Sequence, residues 1–184
     1  MSEPRLELYK RLLVTWNEKV NLIGPEARDH LNDHIEEALE AARLLEPAGD
    51  VLDFGSGGGL PAIPMAIVSP AARFHLVEAD QRKWAFLKHV IRECRLNATV
   101  YGDRLAHVLT RFPSDLRFSL ATSRAVGYPE EWVASLAPFL AAGARVALFQ
   151  GTSEVPRIAG FQSGEVFPLR RGFLVTLTVP RGTA

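Results

Sequence analysis

The run Val51-Leu52-Asp53-Phe54-Gly55-Ser56-Gly57-Gly58-Gly59, with Glu78 placed 19 residues beyond its last glycine, constrains this chain more than any other feature. It reads as a short apolar strand, a glycine loop and an acid at the end of the next strand. Glycine in that density costs backbone entropy, so it marks a place where the main chain must turn sharply or lie close to something. Between a strand and a helix, such a loop lets the backbone approach a nucleotide while the acid accepts hydrogen bonds from the ribose hydroxyls. Two cofactor classes use this arrangement. The dinucleotide fingerprint G-x-G-x-x-G starting at Gly55 needs glycine at position 60, where the chain has Leu60. Asp53, directly before the loop, suits a cofactor that has no pyrophosphate and carries an ammonium. S-adenosylmethionine (SAM) fits these residues better than NAD.

The rest of the chain is compatible with one globular domain and a small appendage. It has 184 residues, 47% apolar and 23% charged, an ordinary balance for a soluble protein. No apolar run approaches the roughly 20 residues that span a bilayer, and the first residues do not resemble a secretion signal. The single cysteine, Cys94, excludes an intrachain disulfide and a multi-cysteine metal site. A cytoplasmic protein with no metal and no membrane partner is expected, and a monomer. Net charge is zero but unevenly spread: residues 1–50 hold 6 basic against 11 acidic residues, and residues 51–184 hold 15 against 10. A basic body is compatible with a nucleic-acid partner and equally with an ordinary surface.

Leu6, Tyr9, Leu13, Trp16 and Val20 recur at three- and four-residue steps, which predicts an amphipathic helix broken at Gly24-Pro25. Leu31, Ile35, Ala38, Ala42 and Leu45 form a second helical stripe, ended by Pro47-Ala48-Gly49-Asp50. From Val51 onward, short β-branched runs alternate with helical periods, the pattern of parallel β-α units. Strands are expected at 51–54, 73–78, 98–101, 117–122 and 144–149, and helices at 60–69, 82–95, 104–110 and 130–141. The segments 164–169 and 173–179, separated by Arg170-Arg171-Gly172, read as a closing hairpin. This is the α/β, Rossmann-like, seven-stranded sheet of a class I SAM-dependent methyltransferase, mostly parallel with a C-terminal antiparallel hairpin. It divides into a short N-terminal helical appendage, 1–49, and a SAM-binding domain, 50–184. Cys94 falls on the apolar face of the 82–95 helix and reads as core.

Within that frame, Gly55, Gly57 and Gly59 form a floor for the methionine part of the cofactor. Leu60-Pro61 opens the next helix, whose N-terminal amides favour a nearby carboxylate. Glu78 is the ribose acid, with Asp80 as its competitor. Leu105 and Ala106 are expected to border the adenine through backbone groups, and Asp103 less directly. The fourth strand ends in Thr122-Ser123-Arg124-Ala125-Val126, where the methyl acceptor would enter. An Asn/Asp-Pro-Pro-aromatic motif, usual for exocyclic adenine or glutamine nitrogens, is absent there, and Cys94 lies on the wrong element for a cytosine-C5 nucleophile. An acceptor needing little activation remains, such as the guanine ring nitrogen N7, whose lone pair is free at neutral pH. Catalysis then needs in-line positioning more than proton transfer. Arg124 is the candidate for orienting the cofactor carboxylate or the guanine edge.

These residues resemble the RsmG (GidB) family, which methylates guanine N7 in bacterial 16S ribosomal RNA. Trp16-Asn17 with Asn21-Leu22 matches the family pattern W-N-x-x-x-N-L. The stretch from Asp53 to Pro64 resembles D-x-G-[ST]-G-x-G-[FL]-P-G-[IL]-P, and Ser123-Arg124-Ala125 matches S-R-A. The resemblance implies SAM as methyl donor, 16S ribosomal RNA or a small-subunit assembly intermediate as partner, and cofactor contacts at Gly55, Leu60, Leu105, Ala106 and Arg124. The chain departs from the pattern in places. His34-Ile35-Glu36-Glu37-Ala38 stands where the family has H-I-x-D-S, Gln150 precedes Gly151 in place of a lysine, and Ala62 replaces a glycine. A lone helical histidine such as His34 reads first as a structural residue. The expected activity is an rRNA (guanine-N7) methyltransferase with Arg124 as its catalytic residue. The alternatives are a methyltransferase for another RNA or a small molecule, and a SAM-binding, ribosome-associated protein without turnover.

Overall fold

The computed structural model describes residues 2–182. Seven strands form one sheet: β1 (Asp50–Phe54), β2 (Arg73–Val77), β3 (Ala98–Tyr101), β4 (Phe118–Arg124), β5 (Leu140–Gln150), β6 (Gln162–Leu169) and β7 (Gly172–Thr178). Their spatial order is β3-β2-β1-β4-β5-β7-β6. The first five strands are parallel, and β7 lies antiparallel between β5 and β6. The order reverses at β1, so β1 and β4 run side by side at the switch point, where crevices open beyond the strands' carboxyl ends. Expectation and structure agree on a class I methyltransferase architecture.

Seven α-helices connect or precede the strands: α1 (Ser2–Asn17), α2 (Pro25–Asp29), α3 (Leu31–Leu45), α4 (Ala62–Val68), α5 (Gln81–Glu93), α6 (Leu105–Leu109) and α7 (Pro129–Leu136). Side chains alternate across the sheet and feed two cores. Val51, Phe74, Leu76, Leu120, Ala147 and Phe149 face the core built with α1, α3, α4 and α5. Leu52, Ala121, Val146 and Leu148 face the core built with α6 and α7. Burying both faces explains why the strands read as nearly continuous apolar runs. Cys94 is buried in the first core. Among the described residues no helix is long and apolar enough to cross a membrane.

Several boundaries differ from the sequence reading, each for a local reason. The first helix stops at Asn17 and does not reach Val20. The Asn17 side-chain Oδ1 accepts from the amides of Leu22 (2.8 Å) and Ile23 (3.0 Å), giving the backbone a turn in place of another helical turn. Gly24-Pro25 breaks the chain as expected, but Pro25 also starts the short α2, since its missing N–H costs nothing at a first helical position. The helix expected at 130–141 ends at Leu136, with a 3₁₀ turn over Ala137–Phe139. Pro138 cannot donate within a continuing α-helix, so β5 begins at Leu140. Asp50 opens β1 and does not close the preceding loop. The helix after the glycine loop begins at Ala62, with Leu60 and Pro61 before it and buried.

The N-terminal helices bear directly on the glycine loop. Trp16 sits 5.6 Å, ring to ring, from Phe86 of α5, which pins the end of α1. The Tyr9 hydroxyl, fully buried and with its pKa pushed up by that burial, donates to the Gly58 carbonyl at 2.8 Å. A Cβ on Gly58 would lie 2.8 Å from Ile23 Cγ2 and 3.2 Å from Leu13 Cδ1, so glycine is what lets the loop meet α1 and the 22–23 turn. Replacing Tyr9 by Phe leaves that buried carbonyl without its donor. An expected loss of about 1–2 kcal/mol in unfolding free energy follows; urea denaturation of Tyr9→Phe beside the wild type measures it.

Candidate functional site

The glycine loop leaves β1 at Phe54 and is tied to the neighbouring strand. The amides of Gly55 (3.0 Å) and Ser56 (3.2 Å) both donate to the Val77 carbonyl. Gly55, Gly57 and Gly59 have φ of 69°, 53° and 91°, the left-handed region in which other residues are strained. They meet different surroundings. A Cβ on Gly55 would fall 2.6 Å from Val126 Cγ2, so the residue after the Ser-Arg-Ala run lies across the loop. A Cβ on Gly59 would strike Ile63 Cγ1 at 2.5 Å, which makes Gly59 a packing glycine at the base of α4. A Cβ on Gly57 would make only ordinary contact, with the Gly55 and Leu22 carbonyl oxygens at 3.8 and 3.9 Å, and the Gly57 amide donates to Glu78 Oε2 at 2.8 Å.

Glu78 therefore closes the loop from the β2 side. Its other oxygen, Oε1, accepts the Asp80 amide at 2.8 Å. Each carboxylate oxygen keeps a second lone-pair direction, so two hydroxyls can still be accepted. Asp80 is occupied elsewhere, since its Oδ1 caps α5 by accepting the amides of Arg82 and Lys83. Glu78, Gly55, Phe54, Asp103 and Leu105 border one cavity of about 360 Å³. Ala106 is exposed on α6 and is not among the residues that line this cavity, and Leu60 is buried next to the loop.

Beneath the loop, Asp53 is 1% exposed. Its Oδ1 accepts the Thr122 hydroxyl at 2.6 Å, and its Oδ2 is buried with no partner. A cavity lined by Gly55 and by a carboxylate with spare acceptor capacity fits the ribose of a nucleoside, and the orphaned Asp53 oxygen buried beneath the loop suits one that carries an ammonium group. SAM is such a molecule. Among the described residues, no three His, Cys, Asp or Glu side chains gather in a way that could hold a metal ion.

The fourth strand delivers Arg124 to a second cavity, of about 330 Å³, which it shares with His34, Glu37, Phe149, Gln150 and Arg171. The guanidinium is not free. Its Nη1 and Nη2 both donate to Glu37 Oε2 at 3.1 Å, and Nη1 lies 2.6 Å from His34 Nδ1. It also stands over the Phe149 ring, 4.7 Å from the centroid. Glu37 is 2% exposed, and its Oε1 accepts the Arg171 amide at 2.6 Å. Burial opposes its charge, yet the His34 ring 3.2 Å away, the Arg171 amide and the Arg124 guanidinium hold its pKa down to about 2. Gln150, in the place of the family lysine, donates its amide to the carbonyls of Thr152 and Glu154 and so secures the following loop.

The site residues read from sequence thus divide into two groups. Gly55, Glu78 and Leu105 meet at the first cavity, with Gly57 joined to it through Glu78; Arg124 belongs to the second. Val126 over Gly55, and Ala125 lining the second cavity, connect the two. Sequence reasoning missed Glu37, Tyr9 and Phe149. His34 and Glu37, three apart on one helical face, carried a signal.

Comparison with known proteins follows the same lines. Residues 2–166 match the family model described as rRNA small subunit methyltransferase G. A protein of that name from Helicobacter bizzozeronii is 33% identical over 149 residues, covering 80% of this chain and 82% of its own length. One from Granulibacter bethesdensis is 45% identical over 103 residues, which is 55% of this chain and 48% of the relative's own length. Among solved structures, a point mutant of MtNAS in complex with S-adenosylmethionine superposes with a TM-score of 0.66 at 15% identity, over 98% of this chain and 76% of that one. At that identity the likeness concerns the fold.

Asp53 gives the site a pH dependence. Burial foremost, and the negative Glu78 in addition, push its pKa up to about 7 against the pull of the nearby Ser56 and Thr122 hydroxyls. The folded state thus holds this proton more tightly than the unfolded chain does. Its contribution to stability is complete below about pH 4 and is lost as pH rises through about 7. Urea midpoints measured across that window should fall with pH in the wild type, and Asp53→Asn should flatten the slope.

Proposed function

We propose that this chain, which belongs to the rRNA small subunit methyltransferase G family, transfers a methyl group from SAM to N7 of a guanine in 16S ribosomal RNA. The observation that carries the reading is a pair of cavities, one at the ends of β1 and β2 and one at the ends of β4 and β5, linked through the consecutive residues Ala125 and Val126. One offers Gly55 and the Glu78 carboxylate. The other is walled by a fixed arginine, a histidine and an aromatic ring. The names of the relatives supply the substrate class.

In this account Gly55, Gly57 and Gly59 keep the loop low, Glu78 accepts the ribose hydroxyls, and Leu60, Leu105 and Ala106 border the cofactor. When bound, SAM supplies an electrophilic methyl group, so the N7–carbon bond forms as the sulfur–carbon bond breaks and no proton moves. The protein therefore contributes alignment and exclusion of water. Arg124 is the catalytic residue, and Glu37 is a positioning residue that fixes the guanidinium plane from behind. Residues 1–49 act as a helical segment that braces the site, and 50–184 as the SAM-binding domain. The protein works as a cytoplasmic monomer on 16S RNA or a small-subunit assembly intermediate.

The experiment is methyl transfer to small subunits taken from a strain that lacks its own enzyme of this type, with 7-methylguanosine read by mass spectrometry. The wild type should modify one guanine. Arg124→Lys keeps the charge but cannot bridge Glu37 and His34 as a fork does, and should lose about 10- to 100-fold in kcat. SAM binding without 7-methylguanosine would rule out the assigned acceptor, and unchanged turnover in Arg124→Lys would remove this residue from the chemistry.

A further inference from the structure

His34 is more than nine-tenths buried, and its two ring nitrogens have unequal surroundings. Nδ1 lies 2.6 Å from Arg124 Nη1. Nδ1 also stands 3.2 Å from Glu37 Oε2, which can only accept, whereas the guanidinium can only donate. The shorter contact decides: a proton on Nδ1 would set two donors against each other at 2.6 Å, and Glu37 Oε2 is already supplied by both Arg124 nitrogens. Nη1 carries two hydrogens, one for Nδ1 and one for Glu37 Oε2 at 3.1 Å. The imidazole proton then resides on Nε2, the tautomer that Arg124 selects from the other side of the ring. Nε2 is buried with no hydrogen-bond partner. Its nearest charged neighbour, Glu26 Oε2, stands 3.6 Å away, beyond hydrogen-bond reach.

A buried donor without an acceptor is costly to the fold unless it has a use. His34 lines the second cavity, together with Phe149 and Arg171. The Glu26 carboxylate at the rim is largely exposed and held by Arg171. Such a surface pair contributes little and is readily displaced. We infer that His34 Nε2–H is a specificity contact for the base that enters this cavity, donating to the O6 carbonyl of a guanine. This inference rests on the reading of the site as a guanine-N7 methyltransferase and adds the residue that tells guanine from adenine. A 6-keto purine offers an acceptor there, with N7 beside it left free. A 6-amino purine presents N6–H donors and would meet Nε2–H with another donor. Recognition that leaves a buried polar group unpaired for the wrong ligand discriminates far better than shape does.

The test uses the full chain saturated with S-adenosylhomocysteine and three nucleotide probes, with dissociation constants from NMR titration. The probes are guanosine 5′-monophosphate, inosine 5′-monophosphate and 2-aminopurine riboside 5′-monophosphate, the last lacking O6 and the N1 proton that accompanies it. Guanosine and inosine monophosphates should bind alike, and the 2-aminopurine nucleotide about tenfold more weakly, the effect of one hydrogen bond. His34→Ala should erase that difference. His34→Gln, whose amide can donate from a similar place, should restore part of it. Melting temperature and S-adenosylhomocysteine affinity of each variant report whether the fold and first cavity survive. Equal binding of all three nucleotides to the wild type, or discrimination that persists in a folded His34→Ala, would overturn the inference. Because nucleotide binding is read without turnover, a failure to methylate RNA would count against the proposed reaction and leave this result standing.

Discussion

A single buried carboxylate, that of Glu37, organises the side of the molecule on which the acceptor cavity opens. It belongs to α3, receives the Arg124 guanidinium from the end of β4, and accepts the Arg171 amide from the turn between β6 and β7. Three segments far apart in sequence thus converge on one charge. A buried ion pair of this kind adds little net stability relative to apolar packing, because desolvating both ions is expensive. It does penalise every arrangement in which one partner is missing. That asymmetry fixes geometry, which is what a reaction limited by alignment requires. The same pair meets the His34 ring at Nδ1 and sets its orientation.

The glycine loop is governed by a second constraint, close approach from two directions. From below, Tyr9 and the 22–23 turn press on Gly58; from above, Val126 lies over Gly55. Glu78 then clasps the Gly57 amide. The W-N-x-x-x-N-L residues belong to this assembly through Asn17, which folds Leu22 and Ile23 back toward the loop. The N-terminal helices consequently share one hydrophobic core with the sheet and with α4. Their acidic surface and the basic surface beyond residue 50 remain compatible with one face turned to RNA.

Much of this is legible in the sequence, because the informative features are local. Strand-loop-helix periodicity, the dense glycines and the acid at Glu78 each declare themselves within a few residues, and so does the closing hairpin. What escaped is non-local. His34-Ile35-Glu36-Glu37-Ala38 reads as the loss of an Asp-Ser pair, yet Glu37 supplies a carboxylate whose partner is 87 residues away. Nothing in helix spacing identifies that partner. Tyr9 likewise looks like one more apolar position in a stripe until its hydroxyl meets the Gly58 carbonyl, 49 residues on. The apolar periods continue past Asn17 and Leu136, but one side chain and one proline end the helices there. Arg124 was found as a site residue, but its engagement with Glu37 and His34 could not be.

The central claim is that Glu37 and Arg124 act as one unit holding the acceptor cavity in place. A double-mutant cycle in urea unfolding tests it most directly, using Glu37→Ala, Arg124→Ala and the double variant. Each single change should cost about 3–5 kcal/mol by stranding a buried charge, and the double little more than either alone. Losses that simply add, to within about 0.5 kcal/mol, would contradict the account.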